Sequence, residues 1–194
     1  AGLCLAAGVL GDLTVNVMNM SIGTRASADI GIFDKVRWGT HLCCMSGSDD
    51  ELTDLMLPYF KKGLERNALC LWLSSEPLGQ QVMKALKHGI PHFDQYQKKG
   101  QILAVPHTEW YLRDGRLDVS TAVKHASDAL AQAKALGFDG IWVAGESSWV
   151  DEREWRTFVT YEETVCEFIS GAAAVALCVH PIRALGITEA LDLF

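Results

Sequence analysis

Five short apolar runs alternate with longer segments whose apolar residues recur every three or four positions. That change of period from run to segment predicts strands separated by helices. The runs cover 40–45, 68–73, 101–105, 140–144 and 173–179; the second and last are almost wholly apolar, as in strands covered on both faces. A helix over 49–66 turns Leu52, Leu55, Met56, Tyr59, Phe60 and Leu64 to one side, with Pro58 inside it predicting a kink. A second helix opens at Pro77 and runs to about His88, with Gly89 as its terminator. A short polar helix follows within 90–100. A long helix capped by Asp118 or Ser120 runs to Leu136, with Ala122, Val123, Ala126, Ala129, Leu130 and Ala133 inward and Gly137 at its end. The last, over 151–169, buries Trp155, Phe158, Val159, Val165 and Ile169. Residues 18–37 lack periodicity and are expected as coil or a short extra strand; the segment from Pro181 onward has weak helical character. The fold class is therefore α/β, a mostly parallel sheet with helices on both faces. The folded unit is placed at 36–194, after a poorly defined tail over 1–35.

The loop between the first strand and helix changes this picture. A nucleotide-binding protein of this layout carries a glycine-rich loop ending in Lys-Ser/Thr there. This chain has Ser46-Gly47-Ser48-Asp49-Asp50-Glu51, with no lysine and three carboxylates. Ser48 and Glu51 form a capping box, and the aspartates favour the positive helix end. They repel the phosphate that such an end otherwise attracts. The layout is that of a nucleotide-binding domain whose phosphate site has been lost.

Composition narrows the partners. A chain of 194 residues with 49% hydrophobic and 21% charged residues suits one globular domain. A net charge of −7 leaves no basic excess to neutralise a nucleic-acid backbone, so direct nucleic-acid binding is not expected. Lys61-Lys62 and Lys98-Lys99 read as solvated helix faces. Four of the six cysteines (Cys4, Cys43, Cys44, Cys70, Cys166, Cys178) sit among large apolar neighbours, the setting of reduced thiols. The first 17 residues make a poor signal peptide, and no window is long enough for a membrane span. A cytoplasmic protein is expected.

If the sheet is parallel, its carboxyl edge gathers Glu76, His107, Glu109, Trp110, Tyr111, Glu146, Trp149 and His180, with Cys43 and Cys44 near by. Carboxylates, imidazoles and aromatic rings together suit a small-molecule pocket. Each has a plainer reading. Glu76 before Pro77 serves equally as a helix start, and Glu146 equally as a hydrogen-bonded structural acid. Trp110, Tyr111 and Trp149 fit core or lid packing, and Arg113-Asp114-Gly115 a charged turn. A metal site at Cys43, Cys44, Cys178, His180, His41 and His107 is set aside, because no Cys-x-x-Cys or His-x-x-x-His pair occurs and Cys43 and Cys44 point to opposite strand faces. No Gly-x-Ser-x-Gly elbow or oriented thiol–imidazole pair supports catalysis, and no cofactor is implied.

Several motifs taken together do point to a family. The run GTHLCCMSGSDDELTDLMLPYFKKGLERNALCLWLSSEP, then EWYLRDGRLD, GFDGIWVAGESSWV, WRTFVTYEETV and ALCVHPI resemble, in order, the MEDS (methanogen/methylotroph, DcmR sensory) domain over roughly residues 36–187. The resemblance implies a RecA/KaiC-like three-layer fold without its phosphate loop and a cytoplasmic sensor of small hydrocarbon derivatives. It implies an output through a helix-turn-helix or histidine-kinase module in the same or a partner chain, with a homodimer possible. It matches His41, Glu76, Tyr111, Gly115, Glu146 and Trp149 to family positions, and Tyr161-Glu162 to its Tyr-Glu pair. Cys44-Met45-Ser46 stands where an aromatic is expected, and His180 where a tyrosine is frequent. The expected ligand-binding set is His41, Cys44, Glu76, His107, Trp110, Tyr111, Glu146, Trp149 and His180. The alternatives are a residual nucleotide-binding or ATPase domain and an interaction module without ligand.

Overall fold

The computed structural model describes residues 16–17 and 33–182. Most of the segment read as a tail, and the weakly helical segment after Pro181, lie outside the described residues. The elements run β1 (Asn16–Val17), β2 (Thr40–Ser46), α1 (Asp49–Glu65), β3 (Ala68–Ser74), α2 (Glu76–Gly89), α3 (Phe93–Lys98) and β4 (Ile102–Pro106). They continue with α4 (His107–Trp110), β5 (Leu112–Arg113), β6 (Arg116–Leu117), α5 (Val119–Ala135), β7 (Gly140–Glu146), α6 (Trp155–Ser170) and β8 (Ala174–Pro181). One six-stranded sheet has the order β1-β2-β8-β7-β3-β4, every pair parallel. The expected α/β fold with helices on both faces is what forms.

Local chemistry explains the boundaries. Ser48 Oγ accepts the Glu51 N–H at 3.1 Å, and Glu51 Oε2 accepts the Gly47 N–H at 2.8 Å, so α1 opens on a reciprocal cap. Asp118 Oδ1 accepts the Thr121 N–H at 2.7 Å and starts α5. Gly137, at φ +81°, follows α5 as the left-handed residue that ends it. Gly89 behaves differently from its expected role. It is the last residue of α2, and a Cβ there would lie 2.5 Å from Leu57 Cδ1. Its smallness lets α2 approach α1. The connection after β4 folds into α4 and a β5–β6 hairpin whose turn places Asp114 and Gly115 at φ 52° and 75°, the pattern of a two-residue turn with both central residues left-handed.

The pleat divides the core. Leu42, Cys44, Cys70, Trp72, Trp142, Ala144, Val175, Leu177 and Val179 face α1, α2 and Phe93. Leu69, Leu71, Leu73, Ile141, Val143, Ala174 and Ala176 face α5 and α6. On the first side Trp72, Trp142, Tyr59, Phe60 and Met56 are fully buried, and each such side chain contributes about 1.5–3 kcal/mol by leaving water. On the second side α5 meets the sheet through Ala122, Ala126, Ala129 and Ala133; Val123 and Leu130 are only half-buried. No helix among the described residues is long and apolar enough to cross a membrane.

Candidate functional site

The chain leaves β2 into α1 on one face and leaves β7 into α6 on the other, with β8 between them. Loops that diverge in this way open a crevice at the carboxyl ends of the strands. Glu146 ends β7 there and is 2% exposed. Its Oε1 accepts the Ser75 N–H at 3.0 Å, its Oε2 accepts the Ser148 N–H at 2.7 Å, and its carbonyl accepts the Trp149 indole N–H at 2.7 Å. Glu146 thus ties the loop after β3 to the loop after β7. Glu76 sits one residue beyond Ser75 but is exposed, in the first turn of α2. It borders an open cleft of about 450 Å³ between α2 and β4. The two acids share an edge of the sheet and occupy different environments.

The connection after β4 supplies the aromatic wall. Trp149 stacks with His107 (centroids 5.1 Å apart) and with Tyr111 (4.8 Å), and meets Phe158 edge-on at 6.2 Å. Tyr111 meets Tyr161 edge-on at 5.2 Å, and its hydroxyl occupies the space a Cβ on Gly145 would need. Burial pushes both phenols well above the ordinary range, so they stay neutral. Trp110 is buried, and its carbonyl lies 3.0 Å from His125 Nδ1.

Beneath α6 lies a buried polar cluster. The odd positions of β2 and the even positions of β8 point to this face, so His41, Cys43, Cys178 and His180 lie under the helix. The inward stripe of α6 adds Glu162. His41 Nε2 is 3.1 Å from Cys178 Sγ and 3.3 Å from Glu162 Oε2. Burial alone would lower the His41 pKa, but contacts with the Cys166 thiol and the Glu162 carboxylate outweigh it and raise it to about 9. Burial likewise pushes Glu162 up, and adjacent His41 reverses this and holds it below the usual value. Burial pushes the Cys178 thiol well up, with the Glu162 charge adding to it. His180, 1% exposed, is lowered by burial; its Nδ1 is 3.0 Å from Ser147 Oγ. Its Nε2 and both Glu162 oxygens have no hydrogen-bond partner of good geometry.

Of the expected residues, His107, Tyr111 and Trp149 come together, with Glu146 bracing them. His180 lies one step inside, against the Phe158 ring at 5.9 Å. His41, the second residue of β2, lies deeper, under α6. Cys44 is turned to the opposite side of the sheet, among Leu42 and the α1 side chains, and its neighbour Cys43 takes the place on the site face. Glu162, Cys178 and Ser147 are absent from the expected set. A carboxylate among the inward positions Phe158, Tyr161 and Val165 of an amphipathic helix is the signal that singles out Glu162.

A cavity of about 20 Å³ joins the two layers. Leu73, Ile141, Val143, Ala126, Val165 and Ile169 form much of its wall, with Tyr111, Tyr161 and Cys178 as its polar members. That volume holds roughly one or two water-sized groups. At the α1 opening, by contrast, the Glu51 N–H already meets Ser48 Oγ, and the Gly47 N–H just before the helix already meets the Glu51 carboxylate. An incoming phosphate would have to displace a carboxylate.

Residues 40–194 match the family model described as MEDS, the methanogen/methylotroph, DcmR sensory domain. No curated protein matches the chain. Among solved structures, it is similar to a KaiC-like protein from the hyperthermophilic archaeon Pyrococcus horikoshii, at 12% identity and a TM-score of 0.47. That match covers 74% of this chain and 62% of the archaeal one, so the chain spans less than two thirds of that protein. The family match runs from the first residue of β2 through every element of the site, and the chain belongs to the MEDS family of sensory domains.

Proposed function

We propose that this domain senses a small, nearly uncharged hydrocarbon derivative, such as a one-carbon alcohol or short halocarbon, received between the sheet and α6. The observation that carries this reading is the enclosed, mostly apolar cavity beside the Tyr111 and Tyr161 hydroxyls. It is too small for a nucleotide, and its few polar groups suit one hydroxyl or halogen. A one-carbon alcohol, two groups of about water size, fills the volume of about 20 Å³, and a larger halocarbon requires α6 or the Trp149 loop to shift outward. A ligand that fits only the shifted arrangement biases the domain toward it. The shift is then read by a helix-turn-helix or histidine-kinase module in the same or a partner chain.

Thermal-shift measurements on the full chain against short alcohols, short halocarbons and ATP with magnesium test this. A ligand at a hundred times its Kd stabilises by about 2.7 kcal/mol, which is readily measured. The reading expects a shift with one of the small compounds, lost in Ala126→Leu, which fills the cavity. A shift with ATP and magnesium alone would replace it with the nucleotide-binding alternative.

A further inference from the structure

We propose that His41, Glu162 and Cys178 bind a divalent transition-metal ion of the zinc class beneath α6, with His180 as the fourth ligand. This site goes beyond the sensory reading and does not depend on it.

The geometry comes from tertiary convergence. One ligand atom from each of His41, Glu162 and Cys178 lies within 4.8 Å of the others, and the same holds for Cys43, Glu162 and His180. Zinc bonds of about 2.0–2.3 Å in a tetrahedron hold neighbouring ligand atoms roughly 3.3–3.8 Å apart. The 3.1 Å from His41 Nε2 to Cys178 Sγ and the 3.3 Å to Glu162 Oε2 are already close to those edges. Glu162 belongs to both groups, so the carboxylate that meets His41 and Cys178 also lies within 4.8 Å of a His180 nitrogen.

The buried polar atoms need such a partner. Both Glu162 oxygens and His180 Nε2 are fully enclosed without a hydrogen bond, a costly arrangement in a protein interior. The His41–Glu162 ion pair offsets the carboxylate charge alone and leaves His180 Nε2 unpaired. A divalent ion with one carboxylate, one thiolate and two neutral imidazoles is electrically neutral overall, which suits full burial. On binding, the Cys178 thiol and the His41 imidazolium each give a proton to solvent, and the freed sulfur and Nε2 become ligands. Ser147 Oγ, 3.0 Å from His180 Nδ1, orients that ring from behind, as partners of metal-bound histidines do. Imidazole, thiolate and carboxylate together favour zinc-class ions over magnesium or calcium.

The test strips the full chain with chelator, confirms its fold by circular dichroism, and titrates it with Co(II) and Zn(II). One equivalent of cobalt with tetrahedral d–d bands and a thiolate-to-cobalt charge-transfer band is expected. Cys178→Ser removes the charge-transfer band, and Cys70→Ala, on the opposite sheet face, retains it. Ser147→Ala weakens binding by about 10-fold or more. Should Cys178→Ser fail to fold, X-ray absorption on the zinc-loaded unaltered chain decides, with a shell of one sulfur at about 2.3 Å and nitrogen or oxygen at about 2.0 Å expected. A folded chain that takes up no stoichiometric metal, or a shell without sulfur, overturns the proposal.

Discussion

On the face of the sheet under α1 and α2, the largest buried groups are Trp72, Trp142, Tyr59 and Phe60; on the face under α6 they are interleaved with His41, Glu162 and His180. Both faces are drawn from the same strands. Leu42 and Cys44 alternate with His41 and Cys43 along β2, and Leu177 and Val179 alternate with Cys178 and His180 along β8. The pleat therefore separates two tasks within each strand. One side supplies apolar burial, and the other holds polar groups whose enclosure lowers stability unless something binds them. The separation is not complete, because the indole N–H groups of Trp72 and Trp142 are buried without acceptors. Substitutions on the first face should change stability with the site intact, and those on the second should change binding more than stability.

The largest effect is expected at Trp142. Its ring packs against Tyr59 at 5.4 Å and Trp38 at 5.9 Å, with the Arg66 guanidinium 5.7 Å above it. Trp142→Ala should cost about 3–5 kcal/mol, read as a lower urea midpoint at unchanged slope. A cost below about 1 kcal/mol would mean that this face does not carry the fold.

At the carboxyl edge the effect should be smaller and chemical in origin. Glu146→Gln keeps the shape of the side chain but offers one acceptor oxygen to the two N–H groups of Ser75 and Ser148. One donor of a part-buried bond is left without its partner, at about 1–3 kcal/mol. Equilibrium unfolding of the two proteins measures it; an unchanged midpoint would show that water reaches the brace.

Gly145 tests how tightly the aromatic wall meets the sheet. Its missing Cβ leaves room for the Tyr111 hydroxyl, so Gly145→Ala should overpack the site by about 1–3 kcal/mol. Tyr111→Phe removes the oxygen in the way. The double variant should therefore be more stable than the sum of the single changes implies, by about 0.5–3 kcal/mol. Strict additivity would place Tyr111 elsewhere.

How much of this could be read beforehand follows from the range of the interactions involved. The helices around Leu52–Leu64 and Ala122–Ala133 are legible because period and caps are local, as with Ser48 and Glu51. The self-capped opening of α1 is legible for the same reason, since Ser48 and Glu51 lie in the loop and first turn themselves. Cys44 and Cys43 are not separable from sequence, because register with β8 and the side taken by α6 decide which of them faces the site. The His41–Glu162–Cys178 group has no spacing signature either, as its members come from β2, α6 and β8 and meet only after the sheet has formed. Gly89 misleads in the opposite way. A glycine at a helix end suggests a terminator, while its reason here is the Leu57 side chain of another helix.

The smallest effect, at Glu76, is the sharpest test of whether the two acids at the edge differ as their surroundings imply. Glu76 is exposed and makes its contribution through the positive end of α2, so Glu76→Gln should cost about 0.3–1 kcal/mol, and the loss should shrink in high salt. Glu146→Gln should respond less to salt, because Glu146 is itself buried and its partners are backbone N–H groups rather than an exposed helix end. Small-compound binding should survive Glu76→Gln, since the open cleft beside α2 is separated from the enclosed cavity by β3 and its neighbours. If Glu76→Gln abolished the thermal shift while leaving the urea midpoint in place, the ligand would belong to the cleft between α2 and β4, and the functional face of the sheet would be the one assigned here to stability.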